Sequence, residues 1–434
     1  MKRIILLAVT LMTTLMASAQ SKFYVCEKFD SDDFQIADKE FLFNEDRTQV
    51  TIGNTTYDVA DIDSIVFEKP SFPCVKILWD GSTNNATVTV DPSIKGVTYT
   101  TNGGHVTITS TNTTSEILYV LSGVSTNGSL TLNGDYKLTM HLDSLTLTST
   151  KGAAIDIECG KRIELKLIKN TVNTLTDCSN GSQKAALYTK GHLEIKGKGT
   201  LNVTGNTKHA IAAKEYLQLK SSLGTLNILG APSDGLHCGR GSMLAANAED
   251  CRFIMNGGTV NIANCGSDCV DADDYGSMYI NGGTLNMEIS QEDGNGLKCD
   301  SCLYMNGGDI QFNVIGISSN AIRTCYEGYY NGGTITGTVA SNGSKGIRGR
   351  ADSSNATVYN KDRSGNLFFN GTDVNLTVSG GTNVATASSC WGIRSDKNLY
   401  QTAGDITVTV TNTQATGISV KGANEKTGGT QTVN

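Results

Sequence analysis

Four basic side chains recur at a regular interval in this sequence: Lys298, Arg323, Arg348 and Arg394, separated by 25, 25 and 46 residues. Each directly follows a small residue and an aliphatic one, in GLK, AIR, GIR and GIR. Cations held in a row repel one another, so aligning them requires neighbouring carboxylates or an anionic ligand. Asp273, Asp300 and Asp396 stand two residues beyond members of the same column, on the same strand face by alternation. They are placed to neutralise it. A second group is acidic: Asp268 and Asp271 lie three apart in D-C-V-D, Asp234 precedes a small-aliphatic pair of its own, and Asp273 and Asp274 follow. Carboxylates gathered from neighbouring segments suit Ca2+, which takes six to eight oxygens at about 2.3–2.6 Å. Turn capping is the other use of such Asp residues. A third group is aromatic. Tyr279, Tyr304, Tyr329, Phe368 and Tyr400 share one offset, with apolar flanks and earlier counterparts Glu194 and Gln218 that argue for an outward direction. Trp391 stands in the Asp234 and Asp268 column, beside Arg394.

These groups are useful only if the chain brings them together, and the repeat supplies the means. A small residue followed by an aliphatic one recurs at Ile155, Leu187, Ile211, Leu236, Val270, Leu297, Ile322, Ile347, Ile393 and Ile418, with a base period near 25 and three longer intervals that imply loop insertions. A second signature, MNGGTVNI, INGGTLNM, MNGGDIQF and YNGGTITG, repeats with Asn256, Asn281, Asn306 and Asn331 each 25 apart. Each unit holds short alternating strands and Gly-rich turns, with no helical period. The leucine-rich pattern is missing, and a propeller blade needs about 40–45 residues. The pattern predicts an all-β chain: a right-handed parallel β-helix, about 25 residues per coil, its coils stacked about 4.8 Å apart. One coil cannot bury its inner face, so stacking makes the core.

Composition agrees. Of 434 residues 48 are Gly and only 4 Pro, with 35 basic against 42 acidic. That acidic balance argues against nucleic acid as a partner. Residues 1–19 have the form of a Sec signal peptide: Lys2 and Arg3, an apolar run, then Ala17-Ser18-Ala19. Cleavage there takes the net charge from −7 to −9. The first Cys is Cys26, too late for a lipid anchor, and no later run is long enough for a membrane helix. A secreted or cell-envelope location is therefore expected, where the 12 Cys have access to disulfide chemistry. Cys265 with Cys269 and Cys299 with Cys302 have metal-like spacing but no accompanying His pair; Cys238 and Cys299 read as small core fillers. Residues 20–72 form a small β module with a turn at Gly53-Asn54, and 75–434 form the solenoid.

From Tyr119 onward the chain resembles an exported bacterial carbohydrate-binding domain of β-helix fold, related to polysaccharide lyase family 9. The resemblance is carried by NTLTD at 173–177, AALYTKGHLEIKGKGTLNVTGN at 185–206, HAIAAKE at 209–215, SDGLHCG at 233–239 and the INGGTLNM repeats. The segment YDVADIDSIVFEKP is likewise similar to one near the start of exported Bacteroidetes proteins. The resemblance implies binding of a pectin-like or cellulose-like polysaccharide, with calcium held by stacked Asp residues; Ser267 replaces the first Asp of the related D-D-x-x-D run. On that basis Lys298, Arg323, Arg348 and Arg394 are expected to pair with uronate carboxylates, and Tyr279, Tyr304, Tyr329, Phe368, Tyr400 and Trp391 to stack on sugar rings. The calcium set is Asp234, Asp268, Asp271 and Asp273. One alternative is a lyase that removes the proton α to a uronate carboxylate, with Lys298 as base and its pKa lowered by nearby cations. Another is a structural or adhesive envelope protein whose ladders serve stability alone.

Overall fold

The computed structural model describes residues 22–35, 40–66, 71–239, 251–273, 275–351 and 364–434. The proposed leader and Asp274 lie outside them. The chain divides into two compact units, Met1–Cys74 and Val75–Asn434. In the first, Lys22–Glu27 pairs antiparallel with Asp30–Gln35 and with Ile62–Val66. A meander of Phe41–Phe43, Gln49–Ile52 and Thr55–Asp58 turns at Gly53. Phe23, Val25, Val50, Ile52, Tyr57 and Ile62 form its core.

The second unit is a parallel β-helix. Among the described residues regular structure is all strand. One sheet runs from the Val97–Asn102 edge through successive parallel strands to Ala415–Val420. Two further faces are joined by the long strand Leu138–Thr148, which pairs with both Ile163–Leu167 and Val172–Thr176. A typical coil contributes Asp268–Ala272 to the first sheet, Met278–Ile280 to the second and Thr284–Ile289 to the third. The repeat residues pair coil to coil without slippage: Leu236, Val270, Leu297, Ile322 and Ile347 form one continuous column. All are buried in a single apolar core that runs the length of the solenoid. At its N-terminal end the indole of Trp79, 1% exposed, donates to the Gly104 carbonyl at 2.7 Å. Cys238, Ala272 and Cys299 occupy one buried column, so these two cysteines are core fillers.

The small residue of each signature has a steric cause. A Cβ at Gly296 would lie 2.3 Å from the Ala321 carbonyl and 3.1 Å from the Met287 methyl; one at Gly346 would lie 3.0 Å from a Leu376 methyl. The position therefore turns toward the core together with the aliphatic residue after it. Alternation is broken there. As a result the residues on either side of the pair, three apart in sequence, both reach the outer surface of the first sheet.

Candidate functional site

That break builds the site. Two columns run side by side along the first sheet. The column before each pair is Asp234, Asp268, Asn295, Asn320, Lys345 and Trp391. The column after it is His237, Asp271, Lys298, Arg323, Arg348 and Arg394. The first column continues one coil earlier to His209, whose Nδ1 lies 3.4 Å from the Asp234 backbone nitrogen.

At the earlier coils the columns form a buried charge cluster. Asp234, Asp268 and Asp271 bring carboxylate oxygens within 4.8 Å of one another. Asp273 falls outside this set; burial, together with the neighbouring Asp273 carboxylate, raises the Asp300 pKa to about 6. Asp234 Oδ2 lies 3.1 Å from Nδ1 of His209 and 3.2 Å from Nδ1 of His237, at ion-pair distance from both. The two imidazoles stack with centroids 4.3 Å apart. Asp268 accepts from the Asn295 side chain at 2.6 Å. Lys298 Nζ lies 3.0 Å from Asp271 and 3.5 Å from Asp268. Burial alone would raise the Asp234 carboxyl, but the two histidines outweigh it and hold its pKa well below the usual range. The same bonds, with Asp271, overcome burial and raise His237 to about 9. Burial raises Asp268 to about 6 despite Lys298.

Lys298 departs from expectation. Burial opposes its charge, but Asp271, Asp268 and Asp300 overcome this and raise its pKa above that of a free lysine. The basic neighbours that were expected to lower it are outweighed by carboxylates at contact distance. With Asp271 and Asp268 as partners the ammonium form of Lys298 is the favoured one.

Further along, the balance reverses. Asp396 serves Arg348 at 3.6 Å, Arg394 at 3.3 Å and Lys421 at 3.1 Å. Arg323 makes no ion pair among the described residues, and its Nε is buried without a hydrogen-bond partner, as is that of Arg348. Lys345, 5% exposed, gives its ammonium to the Gly343 carbonyl and the Ser388 hydroxyl, and lies 5.2 Å from the Trp391 ring. Burial, then Arg348, lowers its pKa to about 8. Arg394 covers the Trp391 ring at 4.9 Å. The ladder is thus neutralised at its earlier coils and carries excess positive charge from Arg323 onward, where, among the described residues, Asp396 alone faces Arg348, Arg394 and Lys421.

The aromatic column lies on the second sheet. Its residues point outward between buried neighbours, as in Met278–Ile280 and Leu303–Met305. The rings nevertheless lie flat upon each other, with centroids 4.9–5.1 Å apart and planes within 12° from Tyr279 through Tyr304, Tyr329 and Phe368 to Tyr400. Tyr304, Tyr329 and Phe368 are thus each stacked between two neighbouring rings, so coil spacing turns the column into a stack that also stabilises the sheet.

Three carboxylates from adjacent coils are hard oxygen donors, and that chemistry fits Ca2+. Lys298 competes for the same oxygens. Sequence reading missed the two histidines as members of the cluster, although D-G-L-H at 234–237 carries the same spacing as D-C-V-D.

Residues 102–354, more than half of the chain, match the family model described as carbohydrate-binding domain-containing protein, and the chain belongs to that family. A protein of the same description from Acetivibrio thermocellus is 25% identical over 112 residues, which is 24% of this chain and 39% of the relative. The chain thus spans about two fifths of that relative's length. A solved structure described as a polysaccharide lyase-like protein from C. thermocellum, in a gadolinium derivative, aligns over 57% of this chain and 93% of its own, at 21% identity and a TM-score of 0.44.

Proposed function

We propose that this protein is exported and holds an acidic polysaccharide along its first sheet, with uronate carboxylates paired to Arg323 and Arg348 and reached from the flanks by Lys298 and Arg394. The observation that carries this reading is that Arg323 has no counter-ion among the described residues and lies between two further cations. A guanidinium without a carboxylate partner is the group best suited to take one from a ligand, through charge-assisted hydrogen bonds. The coil repeat matches a polymer, since each coil offers one cation and each sugar one carboxylate. Calcium would be held by Asp234, Asp268 and Asp271 and would supply a further positive charge for the glycan.

Affinity electrophoresis through polygalacturonate tests the proposal. The wild-type protein should be retarded, and Arg323→Ala/Arg348→Ala should lose at least about tenfold in affinity per arginine, given about 1.5–3 kcal/mol for a hydrogen bond to a charged group. Unchanged retardation of the double variant would remove the basic ladder from the account.

A further inference from the structure

The third sheet carries a feature that the acidic-glycan reading does not use. Its outward positions form a trough of about 690 Å³ across the strands Thr225–Gly230, Thr259–Ile262, Thr284–Ile289, Asp309–Val314, Thr334–Val339 and Asp373–Val378. The central row is Asn227, Asn261, Asn286, Gln311, Thr336 and Asn375, paired coil to coil. Glu288 is the single ionisable side chain among the described residues that line the trough. This surface has the opposite character to the basic ladder.

The amides are fixed in place. Asn227 donates its side-chain N–H to Asn202 at 2.8 Å, Asn261 to Asn227 at 2.8 Å, and Asn286 to Asn261 at 2.7 Å. An Asn amide has two N–H groups and an oxygen with two lone pairs. Within the ladder Asn227 and Asn261 each spend one N–H and one lone pair and keep one of each for solvent, while Asn286 spends one N–H only. These three coils offer a donor and an acceptor at about 4.8 Å intervals, and Gln311, Thr336 and Asn375 extend the polar row beyond them. The three laddered amides are oriented before any ligand arrives, so little entropy is lost there on binding. Adjacent equatorial hydroxyls on a pyranose present the complementary donor and acceptor. An extended β-1,4-linked chain of such rings advances by roughly one coil rise per sugar with alternate rings turned over, so every second sugar presents the same edge to the trough.

We propose that this trough is a second glycan site, which takes a neutral β-linked pyranose chain running along the solenoid axis. The proposal rests on the family's carbohydrate binding and not on the basic ladder. A phosphate polymer would find no cation here, and a uronate would meet Glu288.

The test is native affinity electrophoresis of the full chain in gels containing hydroxyethylcellulose, soluble xylan or polygalacturonate. Gln311→Ala/Asn375→Ala alters two exposed positions outside the amide hydrogen-bond ladder; Asn261→Ala/Asn286→Ala alters the ladder itself. Thermal unfolding of each variant establishes that it is folded. The wild-type protein should be retarded by at least one neutral glycan. Each trough variant should weaken that retardation by at least about fivefold, from about 1 kcal/mol per hydrogen bond lost, with polygalacturonate retention unchanged. Arg323→Ala/Arg348→Ala should do the reverse. Retardation of the wild type by none of the neutral glycans overturns the proposal, as does neutral-glycan retardation that folded trough variants keep in full. Loss of polygalacturonate binding alone would count against the basic ladder and leave the trough standing.

Discussion

Arg323 and Asp234 mark the two electrical ends of one surface. At Asp234, two imidazoles converge on a single carboxylate, and the consequence for stability has a definite sign. His237 is raised from its ordinary 6.5 to about 9. A pKa raised by folding contributes stability that is fully present below about 6.5 and is lost as pH climbs through about 9. Denaturant midpoints of the wild-type protein should therefore fall between pH 7 and 9.5, by an amount of order 3 kcal/mol. His237→Gln should flatten that limb, and an equally steep fall in the variant would show that another group titrates. The neighbouring carboxylates make a separate prediction. Adding Ca2+ to protein stripped with EGTA should release or absorb heat and raise the melting temperature, because a ligand that binds only the folded state stabilises it. Asp268→Asn should abolish both effects. A silent titration of the wild-type protein would take calcium out of the account.

The strand is the element that converts these residues into a surface, and the small-aliphatic pair is its working part. Because Gly296 and Leu297 both turn inward, Asn295 and Lys298 both turn outward. Replacing Gly296 with Val places methyl groups against the Ala321 carbonyl and should destabilise the protein by about 1–3 kcal/mol, the usual cost of overpacking, as read from urea midpoints. The aromatic ladder is an element of a different kind. Tyr304 lies 5.0 Å from each of two ring neighbours. Tyr304→Ala should lose about 0.5–1.5 kcal/mol for each stacked pair and leave polygalacturonate retention unchanged; a variant of normal stability with weak retention would place the rings in the binding site. Column membership was legible in the sequence, because a spacing of 25 residues can be counted. Side-chain direction was less so. Strict alternation would separate Asp234 from His237, and only the inward turn of Gly235 brings them to one carboxylate. Likewise, an aromatic residue in every coil does not reveal whether ring faces meet solvent or each other; coil spacing close to stacking distance decides it.

At the scale of the whole molecule, the solenoid separates chemistries by face. The first sheet carries charge, the second stacked rings, and the third neutral amides. The repeat, the strand content and the single long core follow from patterning, since each coil needs its neighbours to bury its apolar face. The positive stretch depends instead on a single accident of spacing, namely which coils hold an Asp beside the ladder. Asp396 is shared among Arg348, Arg394 and Lys421 and offsets only one of their charges, and no described carboxylate pairs with Arg323. The central claim is that this stretch recognises carboxylate groups on a polymer. The most direct test compares the affinity of the protein for polygalacturonate with its affinity for the same polymer after methyl esterification, which removes charge and leaves the chain. The account predicts at least about a tenfold loss on esterification, together with a steep fall in polygalacturonate affinity as salt is raised. Equal affinity for the two polymers, insensitive to salt, would contradict it.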